Sequence, residues 1–138
     1  MSATVTFKFV FDVTSFGADM YIDKEVLADS APTASVDGNT YSTTSQSTAA
    51  GTTSSISSVI SASNTDSGDT STQFIVDEND TRRFTITVVQ RAAISGVIQI
   101  ELEGINWGTL GTSDSAPDQL YNFNLDDFLS EIVTVNIQ

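Results

Sequence analysis

The side chains best able to do chemistry in this sequence are carboxylates. Their densest group is "VDENDTRRF", residues 76–84, where Asp77, Glu78 and Asp80 precede Arg82 and Arg83. Such a run holds calcium when its oxygens converge from separate loops, or at EF-hand spacing with a bidentate acid closing the site. Contiguous side chains fan apart, so the run reads instead as a hairpin turn. Phe74 and Val76 end one strand, Asn79 and Asp80 turn the corner, and Phe84, Ile86 and Val88 open the next. Arg82 and Arg83 are then expected at the surface, offsetting the acids. "NTDSGDTS", residues 64–71, places Asn64, Asp66 and Asp69 around Gly68, but the glycine is fifth rather than sixth and Ile75 stands where the closing Glu belongs. It reads as a flexible polar loop. "DVTSFGADMYID" supplies Asp12, Asp19 and Asp23 from one strand and the next, and this trio is the best candidate for a calcium site.

Catalysis has few instruments here. The chain has no Cys and no His, which removes thiol chemistry, the usual Ser-His-Asp arrangement and most transition-metal sites. Glycoside hydrolysis needs two carboxyls facing each other across a cleft. Glu101 and Glu103 share one strand face and Asp126 and Asp127 are adjacent, so they read as solvated acids, and no aromatic cluster accompanies them. A Lys8–Asn136 cross-link promoted by Glu101 would need an apolar setting, whereas all three alternate with core residues and point outward. The expectation is a protein that is not an enzyme.

At 138 residues the chain suits a single domain over 1–138, with 30–72 as a Ser/Thr-rich segment. A net charge of -13 repels phosphate backbones and anionic lipid, so neither nucleic acid nor a membrane is an expected partner. No apolar run reaches the roughly 18 residues of a membrane-spanning helix. "MSATVTFKF" lacks the basic start of a signal peptide and enters alternation at once. Acidic, cysteine-free and hydroxyl-rich composition suits an extracellular or cell-surface location. The strands at both ends suggest a module cut from a longer exported chain.

The elements that must position these residues are strands. Val5, Phe7, Phe9, Phe11 and Val13 alternate with Thr4, Thr6, Lys8, Val10 and Asp12, giving one apolar face. A second strand is expected from Met20 to Leu27. Between Ser42 and Thr72 more than half the residues are Ser or Thr; a strand is expected at 54–62, flanked by mobile loops. Further strands put Phe84, Ile86 and Val88, then Ile98, Ile100 and Leu102, and finally Val133, Val135 and Ile137 inward. "LYNFNL" adds another strand, and residues 125–131 suggest one helical turn capped by Asn124. Trp107 is expected as a core plug or rim anchor. Seven or eight short strands with period-2 patterning predict an all-β, antiparallel two-sheet sandwich, with a closed barrel as the alternative.

The order "TFKFVFDVTSFGADMYIDK", a Ser/Thr-rich middle, "FIVDENDTRRFTITV", "GVIQIELEGINWGT" and "YNFNLDDFLSEIVTVNI" resembles the immunoglobulin-like β-sandwich modules of large secreted surface proteins of bacteria. It is particularly similar to those that candidate-phylum bacteria carry beside peptidoglycan-binding-type repeats. The likeness covers most of the chain outside 30–72. It departs from the pattern at Asn79, where the turn of those modules has Gly; Asn tolerates positive φ, so the turn can survive. The resemblance implies stalks, spacers or adhesive units and no enzyme.

Together these readings predict a structural or adhesion module whose partners are neighbouring domains or identical subunits. Alternatives are a self-assembling filament or surface-layer subunit with open sheet edges, and a carbohydrate-binding module meeting polysaccharide. No cofactor is expected beyond calcium at Asp12, Asp19 and Asp23. Threonines such as Thr4, Thr6, Thr85 and Thr87 form a hydroxyl-rich face that their β-propensity alone explains.

Overall fold

Strict alternation decides which face each strand buries, and the longest alternating runs form the longest strands. A computed structural model describes residues 3–29, 38–46, 53–92, 95–109, 119–122 and 128–137. Ten strands lie among them: β1 (Ala3–Thr14), β2 (Met20–Asp23), β3 (Val26–Ala28), β4 (Asn39–Gln46), β5 (Thr53–Ala62), β6 (Gln73–Val76), β7 (Thr81–Ala92), β8 (Gly96–Gly108), β9 (Gln119–Asn122) and β10 (Val133–Val135). No helix occurs among the described residues.

The strands form two sheets packed face to face as a sandwich. The small sheet has the order β1-β7-β5, and β1 pairs antiparallel with β7 from Ala3↔Ala92 to Thr14↔Thr81 without a slip. The large sheet has the order β3-β4-β8-β2-β6, with β9 and β10 also on β8. Gly104 pairs with both Thr40 of β4 and Asn122 of β9, so these two strands flank β8 on opposite sides. The sheet is mixed, because β3 runs parallel to β4.

The core lies between the sheets. Phe7, Phe9, Phe84, Ile86, Val88 and Ile60 from the small sheet meet Ile22, Tyr41, Phe74, Val76, Ile98, Ile100, Leu102, Ile105 and Val135 from the large one. Phe84 stacks on Phe11 at 5.9 Å between centroids and touches Phe74 at 5.4 Å, so one ring links both layers. The expected inward faces of β1, β7, β8 and β10 are all realised.

Several expectations change. The strand drawn from Met20 to Leu27 breaks in two, because the Asp23 carboxylate accepts the Glu25 N–H at 2.9 Å and turns the chain out of the ladder. The hydroxyl-rich middle contains β4 as well as β5. Tyr41, 2% exposed, anchors β4 in the core despite its polar neighbours. Of the helical turn expected at 125–131, residues 125–127 and the Asn124 cap lie outside the described residues. Leu129 instead makes an antiparallel bridge to Glu101, with Leu102 N–H donating to Phe128 O and Ser130 N–H to Ile100 O, both at 2.9 Å.

The turn at 77–80 is real but is not a hairpin. β6 belongs to the large sheet and β7 to the small one, so the chain crosses between layers there. Asn79 carries the positive φ of 64° that the corner demands, and its N–H donates to Ser15 O at 2.9 Å. The β1–β2 turn and the 63–72 loop cross between the sheets too.

Candidate functional site

Between the C-terminal half of β1 and the β2–β8–β9 part of the large sheet lies a cavity of about 470 Å³. Phe11 and Val13 form one wall, Met20, Ile22, Ile105 and Trp107 the other, and Tyr121 and Phe128 border it. A register shift on the β4–β8 ladder creates this wall. Tyr41 pairs with Leu102 but Thr40 with Gly104, so β8 carries one extra residue. Beyond it Ile105 and Trp107 take the inward face that strict alternation from Ile98, Ile100 and Leu102 would deny them. Phe128 meets Phe11 edge to face at 6.2 Å, and Tyr121 is 54% exposed.

Two polar residues complete the lining, and both are already engaged. Asp12 receives Arg83 Nε at 2.8 Å and Nη2 at 3.2 Å, and this bonding holds its carboxyl below the usual value. Thr14 and Thr81 share a hydrogen bond between hydroxyls at 2.7 Å. The cavity therefore offers an apolar and aromatic surface with its acid paired and its hydroxyl spoken for.

The loop crossings create a second polar region at one end of the sandwich. Here Arg82, expected at the surface, is buried at 5% exposure. It lies on the same strand face as Phe84, Ile86 and Val88, and strand parity requires that it point inward. All five of its N–H donors are used. Nη1 and Nη2 each reach an Asp69 carboxylate oxygen at 2.6 Å, Nη1 also meets Ile75 O at 2.8 Å, and Nε and Nη2 bond Asn64 at 3.1 and 2.8 Å. The guanidinium also lies over the Phe74 and Phe84 rings, 5.3 and 5.7 Å from their centroids. Hydrogen bonding from Arg82 lowers the Asp69 pKa, and the same bond raises that of Arg82.

The 63–72 loop is thus knitted to the core. Asp66 accepts the Gly68 N–H at 2.8 Å, Asp69 the Ile75 N–H at 3.0 Å, and Thr70 the Gln73 N–H at 3.0 Å. A Cβ at Gly68 would stand 2.8 Å from Ile75 Cγ2, so this close approach requires glycine.

Asp12, Asp19 and Asp23 do not converge. Asp12 faces outward from the small sheet toward Arg83. Asp19, on the β1–β2 turn, accepts the Glu78 N–H at 2.9 Å. Asp23 is buried in the large sheet, turned to the Glu25 N–H. Among the described residues no three acidic, His or Cys side chains are grouped to hold a metal ion. Asp19 does sit near other acids: repulsion from Asp66 first, then burial and repulsion from Asp19, raises the Asp77 pKa.

Glu103 accepts a hydrogen bond from Ser42 Oγ at 2.6 Å, and Asp126 and Asp127 lie outside the described residues. Lys8 and Asn136 are exposed on the outer faces of different sheets, with the core between them. Comparison with family models, curated proteins and solved structures finds no match.

Proposed function

We propose that this chain is a non-enzymatic structural module, a spacer or adhesion unit of a secreted or cell-surface protein, that works through contact. The observation carrying this reading is the cavity at the β1 edge. It is walled by Phe11, Val13, Met20, Ile22, Ile105 and Trp107, and its two polar residues are held by Arg83 and Thr81. Such a pocket gains free energy by taking an apolar side chain out of water and offers no unengaged acid or base to react with it. Phe16, 83% exposed on the β1–β2 turn, is a second apolar contact point. The occupant assigned to the pocket is an apolar side chain from a neighbouring domain. The immunoglobulin-like relationship belongs to the same proposal, and the two-sheet sandwich supports it.

A carbohydrate-binding reading is favoured by one feature, the presence of both Trp107 and the exposed Tyr121 in the lining of the same cavity, since aromatic faces stack on sugar rings. Trp107 is the sole tryptophan, so its emission reports on this site alone. With a neutral apolar dye such as Nile red, quenching of Trp107 that disappears in Met20→Glu supports the proposal. Quenching by soluble polysaccharide instead converts it to carbohydrate binding. No response to either, or turnover of a glycoside, overturns the pocket's assigned role.

A further inference from the structure

Strand edges normally carry devices that stop them pairing with other chains: short length, bulges, proline, or charge. The large sheet ends in β3 and β10, of three residues each, and β6 and β9, of four each. β5, one edge of the small sheet, has a register shift between Ser55 and Ser57. β1, the opposite edge, is neither short nor bulged and has no proline. It is twelve residues long, contains no Gly or Pro, and keeps perfect register with β7. Among the described residues no strand pairs with its other side.

Its two charges, Lys8 and Asp12, would ordinarily guard that edge, but they have opposite signs and are placed symmetrically about Val10. In "TFKFVFDVT", residues 6–14, an antiparallel copy centred on Val10 sets Thr6 opposite Thr14, Phe7 opposite Val13, Lys8 opposite Asp12 and Phe9 opposite Phe11. Residues directly opposite in an antiparallel pair share a face. Both charged pairs therefore fall on the outer face, flanking a Val10–Val10 contact, and every aromatic falls on the inner one. Lys8 has no charged partner among the described residues, and Asp12 already lies beside Arg83. Val10 is 52% exposed, an apolar residue standing between the two charges.

We propose that two copies of this chain pair through antiparallel β1 strands about a two-fold axis at Val10, joining their small sheets into one six-stranded sheet, β5-β7-β1-β1-β7-β5. The interface is isologous, each copy donating Lys8 to the other's Asp12. Backbone hydrogen bonds supply the affinity, and the charge pairs select this register over a slip by two residues. The net charge of -13 opposes approach, so pairing strengthens when salt screens the long-range repulsion. This proposal goes beyond the pocket reading but shares Phe11 and Val13 with it, so dye binding is measured at the dilute, monomeric end of the range and its failure is distinguishable from a failure to pair.

The test combines light scattering with cross-linking of the full chain from micromolar to near-millimolar concentration in moderate salt. The expected result is a mass that doubles with concentration. In K8E, which sets acid against acid twice, the dissociation constant rises at least about tenfold. The chain has no cysteine, so V10C places the only thiols face to face across the axis, whereas T6C holds them several residues apart. Under mild oxidation V10C cross-links into a dimer and T6C stays monomeric. A wild-type chain that remains monomeric throughout overturns the proposal, as does equal cross-linking of V10C and T6C. Exposed Thr6 and Val10 keep either variant folded.

Discussion

In the small sheet, β1 faces β7 through twelve successive residue pairs. In the large sheet, β8 alone meets β2, β4, β9 and β10 through ladders of two to seven pairs. The first is long, regular and ends in a long edge strand. The second is assembled from short pieces and has short edges. The difference lies in where buried polar side chains are needed. The small sheet sends one charged group inward, Arg82, at the end where the chain crosses to the other layer. The large sheet must repair its interruptions internally, and Asn39 does much of this. Its Nδ2 donates to Asp23 O at 2.7 Å and Glu25 O at 3.1 Å, while its Oδ1 accepts the Asn106 N–H at 3.0 Å. One amide thus ties the β2–β3 break, the start of β4 and the far end of β8. Regular ladders leave a sheet free to meet partners; interrupted ones spend side chains on holding together.

The largest break in this comparison comes at Arg82. Arg82→Ala strands the Asp69 carboxylate, and breaking a buried pair by removing one partner costs about 3–5 kcal/mol. Its neighbour Arg83, 61% exposed, also pairs with an aspartate, but with both side chains largely in water Arg83→Ala is expected to cost far less. Urea unfolding of the two variants checks the contrast, and equal losses would contradict it. Acid titration sharpens the same point. Asp69 has a folded pKa below its ordinary value of 3.8, so its stabilisation is present above that value and lost as pH falls through the lowered pKa. Asp77 is raised, so its protonation favours the fold as pH drops toward its pKa. The wild type should hold its stability on mild acidification and lose it in stronger acid. Arg82→Ala should lack most of that final loss.

Next in size is Asn39→Ala. It removes the side-chain partner of two buried backbone groups, Asp23 O and the Asn106 N–H, while Glu25 O keeps the Asn39 N–H, and it should cost about 3 kcal/mol, at the lower edge of the Arg82 effect. The damage should be local. Amide exchange should accelerate in β2, β3 and the end of β8 while β1 and β7 keep their protection. Uniform acceleration across both sheets would show that the two layers do not differ in the way described.

Much of this was legible in the residues themselves. Period-2 runs around Phe7–Phe11, Phe84–Val88 and Ile98–Leu102 named both the strands and their inner faces, because burial on one side leaves no other arrangement. β4 was hidden because its hydroxyls mask the single anchor Tyr41. The turn at 77–80 was readable but its partner strands were not, since a corner between layers and a hairpin within one use the same Asn79 conformation. The inward course of Arg82 followed from parity with Phe84, yet charge argued for the surface; the loop carrying Asp69 and Asn64 settles it, and no local pattern announces that loop's return. The cavity depends on one extra residue in β8, which alternation cannot reveal, since a shifted register appears only when the partner strand is known.

The proposed pairing edge is β1, whose other side meets no strand among the described residues. The most direct test of that pairing is hydrogen exchange of the β1 amides at low and at high protein concentration. The amides directed away from β7 should exchange freely in dilute solution and become protected as concentration rises, while those bonded to β7 stay protected throughout. Exchange rates along β1 that do not change with concentration would contradict the account.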